Sequence, residues 1–347
     1  MQKLLAAELE HYQVPALYLT DPKNIFYVTG FQGSFGIAIV LPLKTILVTD
    51  SRYIEEAKTC CKNIEVLSSD SEIWQQIIHG LKRIAFESTH MTVNRLERLK
   101  QKFNDTEWIA SSPIIEKLRQ RKNAFEVTAI RQACRIGDQT LEAVVPHIQA
   151  GDSELEVAWK LEQTARELGA ECLSFPAIVA FEENSAIPHH QSGNRKLQAG
   201  DTVLIDFGVK YHNYCSDMTR TYFYKYVDTE KEIMYQKVLD AQALGKKEMH
   251  IGKATADSYN TVNEFFKEDD LDEFFTHSLG HGVGLNVHEN PSSSPRSGEF
   301  FNKWDTITCE PGLYFPGKFG IRIEDLCLIT ENGLEDFTKS PKKLTVL

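Results

Sequence analysis

The sequence predicts a smaller α/β domain followed by a larger α+β domain. Its 347 residues exceed one average domain and are enough to bury two sizeable cores. Over residues 1–118 strand and helix patterns alternate, which is typical of an α/β domain. Over residues 119–347 two pairs of strands are separated by blocks of helix, which is typical of an α+β domain.

The individual elements follow from hydrophobic periodicity and from the turn residues between the apolar runs. In the first domain the predicted strands are 16–20, 36–42, 45–50, 64–68 and 83–88, and the predicted helices are 1–11, 52–61, 71–81 and 92–102. Ser112 before Pro113 predicts the start of a helix that leads into the second domain. The predicted helices of the second domain are 125–145, 153–169, 230–249 and 254–267.

Composition argues against several classes of partner. The net charge of −11 disfavours a nucleic-acid partner, which needs a basic surface. No apolar run is long enough to span a membrane, and Glu8 and Glu10 indicate that the N-terminal segment is an amphipathic helix rather than a signal peptide. The seven cysteines lack the spacing of a disulfide framework, so we expect reduced thiols in a cytoplasmic protein.

Five potential metal ligands lie in the second domain, and four of them are carboxylates. They are Asp206, Asp217, His281, Glu310 and Glu324. An oxygen-rich set with a single imidazole nitrogen suits a pair of hard or borderline divalent ions such as Mn²⁺, Co²⁺ or Zn²⁺. Two such ions would nearly neutralise the four carboxylates and would activate a shared water. These residues therefore predict a dinuclear metallohydrolase.

The segments that carry the carboxylates resemble each other. Residues 201–208 and 305–312 each form an apolar, β-branched run that reaches an acidic residue, with a glycine two places later. A turn and a second strand with a second acid follow in both, which predicts two facing β-hairpins with one carboxylate per strand. Bound cations would offset the cost of burying the four acids. The alternative, two solvated hairpins, is disfavoured because acids within such apolar runs are hard to place on a wet surface.

Five ordered motifs around these residues resemble those of the pita-bread metallopeptidases: LIDFG, SDMTRT, GHGVGLNVHE, TCEPGLY and GIRIED. The segment ENSAIPHH makes the chain most similar to the Xaa-Pro peptidases of that group, prolidase and aminopeptidase P. The resemblance implies a pita-bread (creatinase/aminopeptidase) catalytic domain over residues 119–347 and a creatinase-like N-terminal domain over residues 1–118. It also implies a metalloexopeptidase that hydrolyses the Xaa-Pro bond at the N-terminus of peptides and forms a homodimer.

All five ligand positions match the family pattern. The resemblance implies that Asp217 and Glu324 bridge two metal ions, that Asp206 chelates one of them, and that His281 and Glu310 hold the other. Glu310 would also move the proton of the attacking water toward the leaving nitrogen. We expect Mn²⁺ in the site, although the same ligands accept Co²⁺ or Zn²⁺.

The resemblance assigns two further histidines, His189 and His288, to catalysis rather than to metal binding. His189 would donate to the developing oxyanion. Its neighbour His190 would then be structural or exposed, because adjacent side chains of an extended segment point to opposite sides. His288 would contact the substrate or stabilise the tetrahedral intermediate, and a plain surface histidine is the alternative.

Arg322 lies two residues before Glu324 and is expected on the same face of a strand. It is predicted to orient a ligand carboxylate or to contact substrate, and a structural ion pair is the alternative. The proline preference of the family follows from the missing N–H of proline, which a pocket does not have to pair. Phe175 is a candidate for the apolar lining of that pocket.

Three segments depart from the family pattern. Phe181, Glu182 and Glu183 replace the small residues that are usual before NSAIPHH, Trp304 stands where a glycine is common, and residues 292–297 form a polar segment that we expect to be an exposed loop. The first departure falls in a loop that borders the substrate cleft in the family. It therefore bears on specificity rather than on chemistry.

The alternatives are another enzyme of the same fold or a non-enzymatic binding protein. Methionine aminopeptidases usually lack the N-terminal domain, creatinase-type enzymes generally lose part of the metal set, and binding proteins lose ligands or gain basic insertions. The sequence leaves open whether only dipeptides or also longer peptides are cleaved. A strict dipeptidase must recognise the proline carboxylate or close the site beyond it. The N-terminal domain of a partner subunit in a dimer would supply the surface that closes the site.

Overall fold

A six-stranded mixed sheet is the centre of the first of two units in the computed structural model, which describes residues 1–111 and 113–347. The two units are Met1–Arg119 and Gln120–Leu347. In the first unit the strands are β1 (Leu17–Leu19), β2 (Ile37–Val40), β3 (Thr45–Thr49), β4 (Glu65–Ser68), β5 (Arg83–Glu87) and β6 (Glu107–Ser111). The helices are α1 (Gln2–His11), α2 (Pro22–Thr29), α3 (Ile54–Cys60), α4 (Glu72–His79), α5 (Val93–Lys102) and α6 (Ile114–Gln120).

The strand order of this sheet is β4-β3-β2-β1-β5-β6. The β1–β5, β5–β6 and β3–β4 pairs are parallel, and the pairs that β2 makes with β1 and β3 are antiparallel. Each face of the sheet has its own apolar core. One core packs the sheet against α1, α2, α3 and α6, and the other packs it against α4 and α5. The α/β prediction is confirmed.

Two elements of the first unit, α2 and β6, are absent from the sequence prediction. The signals for α2 are present in the sequence: Asp21 caps the helix by accepting from the backbone N–H of Lys23, and Pro22 occupies its first turn. Gly30 ends it with φ of +80°. The predicted helix start at Ser112 lies outside the described residues, and α6 begins at Ile114.

A buried carboxyl at the end of β5 holds the N-terminus of α2. Oε2 of Glu87 accepts from the backbone N–H groups of Thr20 and Asp21 at 2.6 and 2.9 Å, and Oε1 accepts from Nδ2 of Asn24 at 2.7 Å. Burial raises the pKa of Glu87 to about 7, although these hydrogen bonds oppose the rise. The stability of this unit is therefore linked to pH through one carboxyl.

We expect the Glu87→Gln variant to lose part of the pH dependence of unfolding. Because the pKa of Glu87 rises from its ordinary 4.5 to about 7 on folding, the folded state binds the extra proton between these values, and stability falls as the pH rises through that window. The difference corresponds to about 3 kcal/mol. The measurement is the urea midpoint from pH 4.5 to 8 for both proteins at one fixed metal concentration, and parallel curves would contradict the assignment.

The second unit combines four long helices with short sheets. Its helices are α7 (Ala124–Val144), α8 (Glu154–Glu167), α9 (Thr229–Glu248) and α10 (Thr255–Lys267). Its strands are β7 (Cys172–Leu173), β8 (Ile178–Phe181), β9 (Thr202–Phe207), β10 (Val209–Tyr211), β11 (Tyr214–Cys215), β12 (Met218–Phe223), β13 (Gly280–Gly282), β14 (Glu289–Ser293), β15 (Thr306–Cys309), β16 (Gly312–Phe315), β17 (Phe319–Arg322), β18 (Asp325–Thr330) and β19 (Gly333–Asp336). Short 3₁₀ segments lie at Val145–His147, Glu182–Ala186 and Asp272–Phe274.

The two predicted hairpins are nested pairs of strands. β9 pairs with β12, and the chain between them forms the inner pair β10–β11. In the same way β15 pairs with β18, and the chain between them forms the inner pair β16–β17. The similarity of residues 201–208 and 305–312 thus reflects two structurally equivalent halves. A β-bridge between Thr219 and Glu324 is one of the contacts between the halves.

Each half of the second unit has its own apolar core. One core is formed by α7 and α8 with β8 and β9, and the other by α9 and α10 with β15, β17 and β18. Cys309, which precedes Glu310, is fully buried in the second core, as its position in a strand predicts. Within the described residues, every helix is either too short or too polar to be a membrane span.

Candidate active site

The five predicted ligands lie in or beside strands of the two nested hairpins and of β13. Asp206 is in β9, and Asp217 directly precedes β12. Glu310 directly follows β15, and Glu324 lies between β17 and β18. His281 is the central residue of β13, which pairs with β15. Residues more than one hundred positions apart therefore meet where the two halves face each other.

The side chains of these residues line one cavity and lie close together. Asp217, His281 and Glu324 each offer one ligand atom, and these atoms are all within 4.8 Å of one another. Nε2 of His281 is 3.6 Å from Oδ2 of Asp217 and 3.3 Å from Oε1 of Glu310. Asp206 lines the same cavity. The structure thus brings together the whole set that the sequence singles out.

Burial raises the pKa of three of the four carboxyls. The pKa values of Asp217 and Glu324 lie well above their usual range, because burial disfavours the charged form and the neighbouring carboxylates add to it. Burial also raises the pKa of Asp206. It would raise that of Glu310 too, but the hydrogen bond and charge of His281 outweigh burial and hold it at about 2. The positive charges of the neighbouring side chains therefore do not compensate for burying these three carboxylates.

Two carboxylate oxygens of the cluster have no hydrogen-bond partner among the described residues. They are Oδ1 of Asp206 and Oε1 of Glu324, and both are buried. Because buried acceptors are almost always paired, two such orphans among facing carboxylates indicate that a cation completes the site. Four carboxylates and one imidazole nitrogen are a donor set that fits hard or borderline divalent ions.

Neighbouring polar groups orient the carboxylates. Arg322 donates through Nη2 to Oδ2 of Asp206 and through Nε to Oγ1 of Thr219. Thr219 in turn donates to Oε2 of Glu324 at 2.7 Å, and Thr308 donates to Oε1 of Glu310 at 3.0 Å. Arg322 thus forms a buried ion pair with Asp206 that fixes the orientation of this carboxylate.

The backbone of β13 passes close to β15, and this places His281. A Cβ atom added to Gly280 would lie 2.0 Å from the carbonyl oxygen of Thr308, a distance that no side chain tolerates. Nδ1 of His281 lies 3.1 Å from the carbonyl oxygen of Gly282, so Nδ1 carries the proton and Nε2 faces the acids. The glycines on either side of His281 are therefore required by packing.

The cavity has a volume of about 940 Å³, and five of the described residues that line it are histidines. His189 and His288 are both exposed in it, and the ring of His288 lies 4.2 Å from that of His281, centroid to centroid. His277 was not predicted. It lines the cavity, and its Nε2 lies 2.8 Å from the hydroxyl of Tyr314. Its spacing of four residues from His281 was a signal in the sequence.

His189 and His190 do not lie in an extended segment, so the alternation of neighbouring side chains does not apply to them. The two residues follow a 3₁₀ segment and lie in a turn, in which the backbone N–H of His190 donates to the carbonyl oxygen of Ile187. Both line the cavity as a result. Nε2 of His190 lies 2.8 Å from Oε2 of Glu154, so His190 is held in place as a structural group.

Among the apolar candidates, Phe175 lines the cavity next to Pro176 and Ile178. The departures at Phe181, Glu182 and Glu183 lie outside its lining. Phe181 is fully buried in the first core, Glu182 pairs with Lys231, and Glu183 pairs with Arg195. These three side chains therefore take part in packing and ion pairs rather than in the lining of the cavity.

Two other departures are explained by the backbone. Trp304 has φ of +72°, a conformation that favours glycine, which accounts for the usual residue at this position. The predicted exposed loop at 292–297 is partly wrong, because Ser292 and Ser293 belong to β14 and Ser293 is fully buried. Ser292 lines the cavity.

Comparisons with known proteins agree with this geometry. Residues 128–331 match metallopeptidase family M24, and residues 2–121 match the creatinase/prolidase N-terminal domain. The chain is 34% identical over 339 residues to the uncharacterized peptidase YqhT of Bacillus subtilis (strain 168), covering 96% of each protein. An Xaa-Pro dipeptidase from Bacillus anthracis superimposes with a TM-score of 0.96 at 32% identity, covering 100% of this chain and 99% of that one. An X-Pro aminopeptidase from Thermotoga maritima MSB8 superimposes with a TM-score of 0.92 at 32% identity, covering 98% and 100%.

The chain belongs to metallopeptidase family M24. It is therefore a hydrolase that cleaves peptides with the help of divalent metal ions. The predicted resemblance to the pita-bread metallopeptidases is confirmed, and so is the predicted combination of a creatinase-like N-terminal fold with a pita-bread catalytic fold.

Proposed function

We propose that this protein is a dinuclear-metal-dependent exopeptidase that hydrolyses the Xaa-Pro bond at the N-terminus of peptides. The observation that carries the proposal is the cluster of four carboxylates and one imidazole with two orphaned buried oxygens, in a cavity that is lined in part by apolar residues. The proline specificity is supported by the two similar structures, whose names state an Xaa-Pro dipeptidase and an X-Pro aminopeptidase.

The residues that would hold the two metal ions are Asp206, Asp217, His281, Glu310 and Glu324. Bound ions, for which we propose Mn²⁺, would supply a water that loses its proton easily and would polarise the scissile carbonyl. Thr219 and Arg322 fix the orientation of the carboxylates, since they donate to Glu324 and Asp206. The protein thus holds the carboxylate oxygens in fixed positions for binding the proposed ions.

Glu310 is the proposed proton carrier. Its carboxylate accepts the proton of the attacking water and delivers it to the leaving nitrogen. Its position at the end of β15 is fixed by the hydrogen bond from Thr308 to Oε1, which leaves its other oxygen for this exchange. His189 and His288, both exposed in the cavity, are the proposed donors to the carbonyl oxygen.

The apolar part of the cavity suits proline. Phe175, Ile178 and Val287 contribute apolar surface to its lining. A leaving proline nitrogen has no N–H, so it needs no acceptor, and an apolar wall leaves no polar group unpaired.

We also propose that the enzyme is a cytoplasmic homodimer, and light scattering of the purified chain tests the dimer.

Activity assays on chelator-stripped protein test the proposed function. We expect release of alanine from Ala-Pro, Ala-Pro-Ala or both after addition of Mn²⁺, and at least about tenfold slower cleavage of Ala-Ala-Ala, since a shaped apolar pocket discriminates by 1–3 kcal/mol. The Glu310→Gln variant is the control for a contaminating peptidase. The proposal fails if neither proline peptide is cleaved with Mn²⁺, Co²⁺ or Zn²⁺ once metal binding has been confirmed. Preferential cleavage of Met-Ala-Ala would indicate a methionine aminopeptidase instead.

A further inference from the structure

The loop between β13 and β14 carries His288, one of the two histidines proposed to donate to the carbonyl oxygen of the substrate. It spans residues 283–288, and His288 is exposed in the cavity whereas Gly284 and Leu285 are buried. The ring of His288 contacts that of His281 at 4.2 Å, centroid to centroid, with an angle of 63° between the ring planes. A shift of the loop would therefore move this ring relative to the proposed metal ligands.

The first residue of β14, Glu289, turns its carboxylate back onto this loop. Its Oε1 accepts from the backbone N–H of Asn286 at 2.9 Å. Its Oε2 lies against Gly284, because a Cβ atom added to that glycine would be 2.5 Å from this oxygen. The backbone N–H of Gly284 in turn donates to the carbonyl oxygen of Asn286 at 2.9 Å. The carboxylate of Glu289 is thus the group around which the loop is folded.

A buried lysine compensates for the charge of this carboxylate. Nζ of Lys122 lies 3.5 Å from Oε2 of Glu289, and the two side chains are 1% and 8% exposed. Nζ of Lys122 also donates to the carbonyl oxygen of Gln120 at 3.0 Å, and its backbone N–H donates to that of Trp304 at 3.0 Å. Because a lysine is rarely buried without a partner, the pair with Glu289 accounts for its position.

The charge of Lys122 also acts on a second buried carboxyl, that of Glu126. Burial raises the pKa of Glu126, and the charge of Lys122 opposes this rise, whereas that of Glu289 adds to it. Lys122 therefore serves two carboxylates. Its loss would leave Glu289 buried beside another acid without its cation, a strongly unfavourable arrangement that the loop can relieve only by moving.

We infer that Lys122 and Glu289 are positioning residues whose ion pair, acting through the loop backbone, holds His288 where its ring reaches the carbonyl oxygen of the substrate. This inference rests on the proposed function. A hydrogen-bond donor stabilises a developing oxyanion only when it is already aimed at the place where the charge forms. A displacement of about 1 Å can cost about a hundredfold in rate.

A double-mutant cycle on the Mn²⁺-loaded enzyme tests whether Lys122 acts through His288. With Ala-Pro or Ala-Pro-Ala, we expect Lys122→Met to lower kcat by about ten- to a hundredfold and to change KM by less than about twofold, since an oxyanion donor acts in the transition state. In the His288→Ala background the same change should lower kcat by less than about twofold. An equal loss in both backgrounds would overturn the inference, because a general weakening of the structure does not depend on His288.

A charge-neutral variant tests the ion pair itself. Lys122→Met/Glu289→Gln removes both charges and keeps an acceptor for the N–H of Asn286, so we expect kcat to return to within about threefold of the wild type. Lys318→Met is the matched control, because it breaks an exposed pair with Glu230 and should leave kcat unchanged. A double variant no more active than Lys122→Met would overturn the role of the pair. If Lys122→Met does not fold, Glu289→Gln replaces it in the cycle, with the same expected results.

Hydrogen exchange tests the inference without peptide cleavage. The N–H groups of Gly284 and Asn286 are hydrogen-bonded, so we expect slow exchange over residues 283–289 in the wild type. Lys122→Met should speed this exchange by about tenfold or more, and the double variant should restore it. Mn²⁺ affinity should stay within about twofold of the wild type, since neither residue is a proposed ligand.

Unchanged exchange in Lys122→Met would overturn the inference, and so would Mn²⁺ binding weakened by about tenfold, which would place the effect on the metal cluster. If the wild type cleaves neither proline peptide although exchange responds as expected, the proposed function fails while the link from Lys122 to the loop stands. The two failures are therefore distinguishable.

Discussion

Replacing Glu324 by glutamine is expected to abolish peptide hydrolysis while making the metal-free protein more stable. In the absence of metal, Glu324 lies among carboxylates that raise its pKa well above the usual range, with burial as the largest cause. Such a group favours the folded state fully below its unfolded pKa, and that contribution is lost as the pH rises. Glutamine does not ionise, so we expect a higher Tm for metal-free Glu324→Gln at pH 8.

The same substitution removes a shared ligand of the proposed site. We expect kcat/KM to fall by about a thousandfold or more, since the ions supply several kcal/mol of transition-state stabilisation. The stabilisation that saturating metal gives the wild type, about 2.7 kcal/mol at one hundred times Kd, should largely disappear. Calorimetry with and without Mn²⁺ measures both effects.

A matched variant separates this effect from a general loss of charge. Glu335→Gln removes a carboxylate that forms an exposed ion pair with Arg131 in the same unit. It should leave activity, metal binding and Tm close to those of the wild type. If Glu324→Gln still binds two equivalents of metal with unchanged affinity, Glu324 is not a ligand.

Replacing Arg220 by methionine is expected to be among the most destabilising single changes in the chain. Arg220 is 1% exposed, and it donates to Oδ1 of Asp325 at 2.7 Å and to the carbonyl oxygens of Glu324 and Ser340 at 2.6 and 2.7 Å. Removing one partner of a buried ion pair typically costs 3–5 kcal/mol, so we expect about that loss in the free energy of unfolding. Urea denaturation measures it.

The position of Arg220 links stability to the proposed metal centre. Its Nη1 donates to the carbonyl oxygens of both Thr219 and Glu324, and these two residues bridge the halves of the second unit. We therefore expect Arg220→Met to weaken Mn²⁺ binding by about ten- to a hundredfold, the range found when groups behind a metal ligand are removed. Arg220→Lys keeps the charge but not the planar fork, and it should show intermediate losses.

An exposed arginine provides the comparison. Arg131→Met breaks the surface pair with Glu335 and should change the free energy of unfolding by no more than about 0.5 kcal/mol. A similar loss for Arg131→Met and Arg220→Met would contradict the view that burial makes the difference. A loss of stability in Arg220→Met without any change in metal affinity would show that its carbonyl contacts do not position Glu324.

The sequence was sufficient for the fold class and the proposed ligand set because both depend on local patterns. Each of the four acids interrupts or ends an apolar run, and the similarity of the two segments predicts that they form equivalent hairpins. The turn at His189 and His190 was missed because alternation holds only in extended backbone, and a 3₁₀ segment precedes this pair. The short helix α2 was missed although its cap and terminal glycine are visible in the sequence.

Local sequence patterns do not predict the contacts between residues that are distant in the sequence. Arg220 and Asp325 are 105 residues apart, and nothing in the sequence of either strand predicts their pairing. The contact of His277 with Tyr314, and of Tyr314 with Arg322, likewise depends on how the two halves of the second unit face each other. The residues of α8 that line the cavity likewise follow from how this helix packs against β8 rather than from any motif.

The location of the ligands in two halves has a consequence for synthesis. The first acids, Asp206 and Asp217, emerge from the ribosome about one hundred residues before Glu310 and Glu324. Domains fold largely as units during translation, with the N-terminal ones first. The half that contains α7 and α8 is therefore able to form its core while the complete coordination sphere does not yet exist. With the proposed ligand set, a metal ion would therefore find all of its ligands only after Glu324 has been synthesised.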